Sequence, residues 1–185
     1  MDHLSASTLV VLTGPVGVGK STTAGATARV LRGHGLTVAC IDLDQIYCMI
    51  RQCDGFDDQG TWLSARHAAA ALAEHFFGQA ASVVIVEGGF LTESEQGELL
   101  EALQSKPRRE IINLHAPFDT VQARVMNDSD PGRVASKVPT ILKQLYAEYE
   151  AALPFLQRTT NCIDVHHSNI EQVAMQVAAI VERGD

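Results

Sequence analysis

Residues 8 to 21 read Thr8-Leu9-Val10-Val11-Leu12-Thr13-Gly14-Pro15-Val16-Gly17-Val18-Gly19-Lys20-Ser21. The first six are apolar or β-branched and suit a buried strand. The next eight match G-x-x-x-x-G-K-[ST] in full, in the strand, loop, helix context that this pattern needs. Glycines let a backbone wrap phosphate oxygens without a Cβ in the way. Successive N–H groups then form an anion nest, and the helix that starts near Lys20 adds its positive end. Gly14, Pro15, Val16, Gly17, Val18, Gly19, Lys20, Ser21 and Thr22 are therefore candidate binders of a nucleotide's phosphates. Lys20 would reach the β- and γ-phosphates and Ser21 would ligate Mg²⁺.

Outward from this loop, strand-like and helix-like stretches alternate to the end of the chain. Strands are predicted at Thr8–Thr13, Thr37–Ile41, Ser82–Val86, Glu110–Leu114 and Cys162–Val165. Helices are predicted at Lys20–Arg32, Thr61–Phe77, Thr92–Leu103, Phe118–Met126, Thr140–Leu156 and Ile170–Val181. Trp62, Ala65, Ala69, Leu72 and Phe76 supply the three- and four-residue spacing of the long helix. Strands that are continuous apolar runs are covered on both faces. The pattern is thus an α/β protein with a parallel sheet between two helix layers. Ligands of such sheets bind outside the carboxyl ends of the strands.

Two of those ends carry acids. The second strand runs into Asp42-Leu43-Asp44, and alternation puts Asp42 and Asp44 on the same side. One carboxylate there can support Mg²⁺, and the other can take a proton from an attacking hydroxyl. Asp44 could also cap the short helix that begins at Gln45. The third strand ends in Glu87-Gly88-Gly89. An apolar run closed by an acid resembles a Walker B element, which makes Glu87 a further candidate for Mg²⁺. Gly88 and Gly89 would leave room for a substrate.

Cations are the remaining candidates. Arg124, Arg133 and Lys137 flank or occupy a polar loop, residues 127–139, that would close over the nucleotide as a lid. Arg133, with Arg124, would neutralise charge on the transferring group. Arg66, on the long helix, would anchor an anionic or hydroxylated acceptor. Trp62, Phe56 and Tyr47 are acceptor-pocket candidates or core residues. His166-His167 has no partner at metal-ligand spacing.

Composition bounds the partners. The 185 residues carry 14 Lys and Arg against 22 Asp and Glu, a net charge of −8. That balance argues against a basic face for nucleic acid. The apolar runs are far shorter than the ~20 residues that span a bilayer, so no membrane is expected. The first residues carry an acid and no basic stretch, so a signal peptide is not expected. Cys40, Cys48, Cys53 and Cys162 form no C-x-x-C pair, so reduced thiols in a cytoplasmic protein are expected. One domain over residues 1–185, monomeric or homodimeric, is the organisation expected.

In order, GPVGVGKS, DLD after the second strand, VVIVEGG after the third, a helix led by Arg124, a polar lid and a long helix near Thr140 resemble the small-molecule kinases of the P-loop class. These include shikimate kinase, gluconate kinase, chloramphenicol phosphotransferase and related antibiotic-modifying kinases. The resemblance implies a three-layer sandwich whose parallel sheet has the order 2-3-1-4-5. It implies ATP and Mg²⁺ as cofactors, with Lys20, Asp44 and Arg133 catalytic. Asp42 resembles the family's Mg²⁺-shell carboxylate and Asp44 its base-like carboxylate. Gly88 and Gly89 resemble the last two glycines of shikimate kinase's acceptor loop, with Glu87 in place of the first. Leu145-Tyr146 echoes a stretch of shikimate kinase, but Leu142 stands where that enzyme has its carboxylate-gripping arginine.

The expected function is transfer of the ATP γ-phosphate to a hydroxyl of a small-molecule acceptor. A neutral or cationic acceptor suits Glu87 better than an anionic one. The alternatives are a nucleoside or nucleotide kinase and a nucleotide-dependent ATPase switch acting on a protein partner. No guanine-reading N-K-x-D string occurs, and the D-x-x-G at residues 57–60 does not follow an apolar strand.

Overall fold

The computed structural model describes residues 7–51, 58–129 and 135–183. Five parallel strands form one sheet in the order β2-β3-β1-β4-β5, as the resemblance implied. They are β1 (Thr8–Thr13), β2 (Val38–Asp42), β3 (Val83–Glu87), β4 (Arg108–His115) and β5 (Asn161–Asp164). The helices are α1 (Lys20–Gly33), α2 (Leu43–Ile50), α3 (Gln59–Gly78), α4 (Glu93–Glu101), α5 (Phe118–Asn127), α6 (Pro139–Thr159) and α7 (Ile170–Glu182).

The two faces of the sheet follow from strand alternation. Val10 and Leu12 point into a core with Ala24, Leu31, Val121, Tyr149 and Val177, so α1, α5, α6 and α7 cover one face. Leu9 and Val11 point into a second core with Leu43, Ala69, Ala73 and Leu99, so α2, α3 and α4 cover the other. β1 is buried at all six positions. Each Val or Leu so buried contributes about 1.5–3 kcal/mol, which fixes β1 at the centre and its carboxyl end, where Gly14 begins, at the middle of the ligand-binding edge.

Three expectations change. Leu72 was placed on the buried stripe of α3 but is 40% exposed, whereas Ala65, Ala69, Ala70 and Ala73 are buried. Small side chains bring α3 close to the sheet, and the larger Leu72 falls at the flank. α2 is capped by Asp42 and not by Asp44: the Asp42 Oδ1 accepts from the amides of Asp44 at 2.9 Å and Gln45 at 3.2 Å. Cys40 and Cys162 are free, as expected, but Cys48 is disulfide-bonded and not the reduced thiol expected; Cys53 lies outside the described residues.

Candidate active site

The loop after β1 has the geometry its glycines suggested. Gly17 has φ +79°, and a Cβ there would run into Val125 of α5. Gly14 has φ +142°, and a Cβ there would strike the Leu114 carbonyl of β4. α1 begins at Lys20 with no side-chain cap and no acid in its first turn. Its first amides are therefore left for an anion, and its positive end is not neutralised. The Lys20 Nζ arches back over the loop and donates to the carbonyls of Gly14 at 3.2 Å and Pro15 at 3.3 Å. This is the cradle that a chain of phosphates fits.

The acids converge on the β2–β3 side of that loop. Asp42 and Glu87 are paired across β2 and β3. Glu87 is only 4% exposed. Burial, with help from the neighbouring Asp42 charge and the weaker Asp44 charge, pushes its carboxyl up to about 7. The Ser21 hydroxyl and the Lys20 ammonium pull the other way, so these groups share one small volume. Sequence reasoning brought Lys20, Ser21, Asp42, Asp44 and Glu87 to this edge, and the structure gathers all five. The hard-oxygen donors suit Mg²⁺. Among the described residues, no cluster of three or more His, Cys, Asp or Glu side chains could hold a metal alone.

The β4–β5 side carries a cavity of about 290 Å³, lined by Gly17–Gly19, Thr22, Arg124, Asp128, Val165, Ser168 and Ile170. Arg124 forms its wall, donating to the Val18 carbonyl at 2.9 Å and the Val165 carbonyl at 3.0 Å. It thus ties the loop to the end of β5, on the far side of Lys20 from the carboxylates. The sequence pointed to Arg124 but missed Val165, Ser168 and Ile170. They lie on the β5–α7 turn, whose only sequence signal is a loop composition.

Arg66 is elsewhere. It is 3% exposed and pairs with Glu95 at 3.0 Å and Glu98 at 2.6 Å, both on α4. Its charge is spent on the protein, so it does not present an anion anchor. Gly88 is also read differently. A Cβ on Gly88 would lie 2.7 Å from the Leu43 Cβ, so this glycine serves the packing of α2. Gly89 is exposed, and a Cβ there would meet nothing within 4 Å. Tyr47 is buried and packs against the half-buried Trp62, with ring centroids 4.3 Å apart and the planes tilted by 41°, so the pair belongs to the core. Asp58, the second residue of the D-x-x-G string, accepts from the Thr61 amide at 3.1 Å and caps α3. Leu142 is fully buried in the core. Phe56 and the lid arginine Arg133 lie outside the described residues, while Lys137 donates to the Asp128 carbonyl.

A family profile described as AAA domain matches residues 9–151. The chain belongs to this AAA domain family of P-loop proteins. Several solved kinases share the fold of this AAA domain. Shikimate kinase from Acinetobacter baumannii, solved with shikimate, aligns with TM-score 0.69 at 16% identity over 98% of this chain and 97% of its own. A gluconokinase from Sinorhizobium meliloti 1021 aligns with TM-score 0.64 at 18% identity, covering 98% and 94%. A sugar kinase from Janibacter aligns with TM-score 0.68 at 17% identity, covering 94% and 93%. At these identities the likeness is one of fold. No curated protein sequence matches significantly.

Proposed function

We propose that this AAA domain is an ATP-dependent phosphotransferase that moves the γ-phosphoryl group to a hydroxyl of a small, uncharged or positively charged molecule. The observation that carries this reading is the convergence of Asp42, Asp44 and Glu87 on the Lys20–Ser21 end of the phosphate loop. The solved structures of like fold include a gluconokinase and a sugar kinase, which supports an alcohol acceptor.

The loop amides and Lys20 hold the phosphate chain. Ser21 and Asp42, with Glu87 beside them, are the residues that would hold Mg²⁺. When bound, Mg²⁺ neutralises charge on the β- and γ-phosphates. Asp44, at the exposed start of α2, takes the proton of the acceptor hydroxyl. The freed oxygen attacks the γ-phosphorus as its bond to the bridging oxygen breaks, and ADP leaves. Arg133 would steady the transferring charge from the lid. The cavity beside Arg124 accepts the base and ribose.

Charge selects the acceptor class. Arg66 is buried against Glu95 and Glu98, and the half-exposed Arg51 is paired with Asp58, so the cations near α2 and α3 are already matched by acids. The sequence between them adds Asp54 and Asp57 and no basic residue. A phosphate- or carboxylate-bearing acceptor would meet like charge there. A coupled ADP-release assay with neutral polyols, amino alcohols, hydroxy acids and nucleosides tests this. Stimulation by the first two groups is expected. Slow hydrolysis that no acceptor stimulates would overturn the kinase reading, and preference for hydroxy acids would overturn the charge argument.

A further inference from the structure

The turn between β3 and α4, Gly88 to Thr92, is held at four of its five residues. Gly88 donates to the Leu12 carbonyl of β1 at 3.1 Å. The Phe90 amide donates to the Thr13 hydroxyl at 3.1 Å, and the Phe90 carbonyl accepts from Gln96 at 3.1 Å. Leu91 and Thr92 donate their amides to one oxygen of Glu95, at 2.8 and 2.9 Å. Gly89 is exposed, and a Cβ there would meet nothing within 4 Å; it stands at the edge where β2 and β3 bring their acids.

The second oxygen of Glu95 is taken by Arg66 of α3, at 3.0 Å. The other end of that guanidinium holds Glu98 at 2.6 Å. A buried cation cannot leave its partners cheaply. Arg66 therefore fixes the orientation of the Glu95 carboxylate, and that carboxylate holds two amides of the turn. One hydrogen-bonded path runs from α3 through Arg66 and Glu95 to Leu91 and Thr92, two residues along the turn from Gly89.

We propose that Arg66 is a positioning residue for the acceptor: through Glu95 it sets where the Gly88–Thr92 turn stands, and so where Gly89 meets the acceptor, without touching the acceptor itself. The proposal rests on the phosphotransferase reading. It assigns Arg66 a role different from direct anchoring, and the two roles give different results. An arginine that grips the acceptor matters for anionic compounds alone. One that sets the turn matters for every acceptor, and its loss frees the Leu91 and Thr92 amides.

The experiment compares wild type with R66M, R66K, E95Q and the R66M/E95Q double variant. Amide exchange is read by NMR in the ligand-free proteins, and kinetics use the alcohol of the panel above that is turned over best. R66M and E95Q should each speed exchange of Leu91 and Thr92 at least fivefold while Ala69 and Leu99 stay protected. Both should raise the acceptor KM about tenfold with little change in kcat, the double variant should be no worse than either, and R66K should recover most of the loss. MgADP affinity by calorimetry should stay within twofold. Wild-type exchange at Leu91 and Thr92 in R66M, an unchanged acceptor KM, or a loss confined to anionic alcohols would each overturn the proposal. If no alcohol is phosphorylated, the phosphotransferase reading fails, and the exchange data decide separately whether the turn depends on Arg66.

Discussion

Asp42 and Glu87 close neighbouring strands at the same register position, so two carboxylates stand side by side at the ligand-binding edge. Only one of them is buried, and the difference separates their roles. Asp42 uses one oxygen to cap α2. Glu87, sunk between β2 and β1, holds its proton to about pH 7.

This predicts how stability depends on pH. The folded Glu87 binds its proton more tightly than the unfolded chain, whose carboxyl titrates near 4.5. The stabilisation is therefore complete below about 4.5 and is lost as the pH rises toward about 7. Up to about 3 kcal/mol is at stake for a shift of this size. In thermal melts of ligand-free protein, wild type should lose more of its melting temperature between pH 5 and pH 8 than E87Q does. Parallel curves for the two proteins would show that Glu87 ionises normally.

Among the described residues, the Lys20 ammonium hydrogen-bonds to the Gly14 and Pro15 carbonyls of its own loop, and it lies near the buried Glu87 carboxyl. Lys20→Ala should thus leave the melting temperature nearly unchanged. Its acceptor turnover should fall by about a thousandfold or more, the scale of removing a main electrostatic stabiliser of the transferring group. The coupled assay and a melt on the same preparation check both halves.

Asp42 offers a cap and a charge, and substitutions separate the two. Asn caps a helix about as well as Asp, whereas Ala costs about 1 kcal/mol. D42N should keep stability and lose Mg²⁺-dependent turnover; D42A should lose both. Asp44→Asn should bind MgADP normally by calorimetry while phosphorylating no acceptor. Normal turnover in D44N would remove Asp44 from the role of base.

The adjacent glycines should respond in opposite ways. G88A forces a Cβ against Leu43, which is fully buried and has no room to yield. A loss of about 1–3 kcal/mol in denaturant melts is expected for such overpacking. G89A meets open space, so its stability should change by less than about 0.5 kcal/mol. Its acceptor KM should rise instead.

Much of this was legible in the chain. Each strand begins or ends within a few residues of its predicted bounds, because apolar β-branched runs such as Val83–Val86 have no comfortable alternative to a doubly covered sheet. The phosphate loop and the acids were legible because they sit at strand ends, where the topology alone decides their neighbours. Arg66 was not. Its partners, Glu95 and Glu98, lie on another helix, and nothing local marks an arginine for burial. The Val165–Ile170 wall of the cavity was missed for the same reason: it is assembled from the turn after β5 against α1 and α5, a contact that no periodicity encodes. Gly88 looked like space for a ligand because a sequence does not show that Leu43 fills it.

The hydrogen bond that the Phe90 amide donates to the Thr13 hydroxyl has a final consequence. Thr13 is the last residue before the phosphate loop, and Phe90 belongs to the turn that, in the proposed reaction, would face the recipient. The two reacting ends are therefore moored to adjacent strands, about 4.8 Å apart as in any sheet. Evolution can retailor such a protein for a bulkier recipient by paring side chains around Gly89. It cannot do so by widening the gap, because that gap is the pitch of the sheet itself.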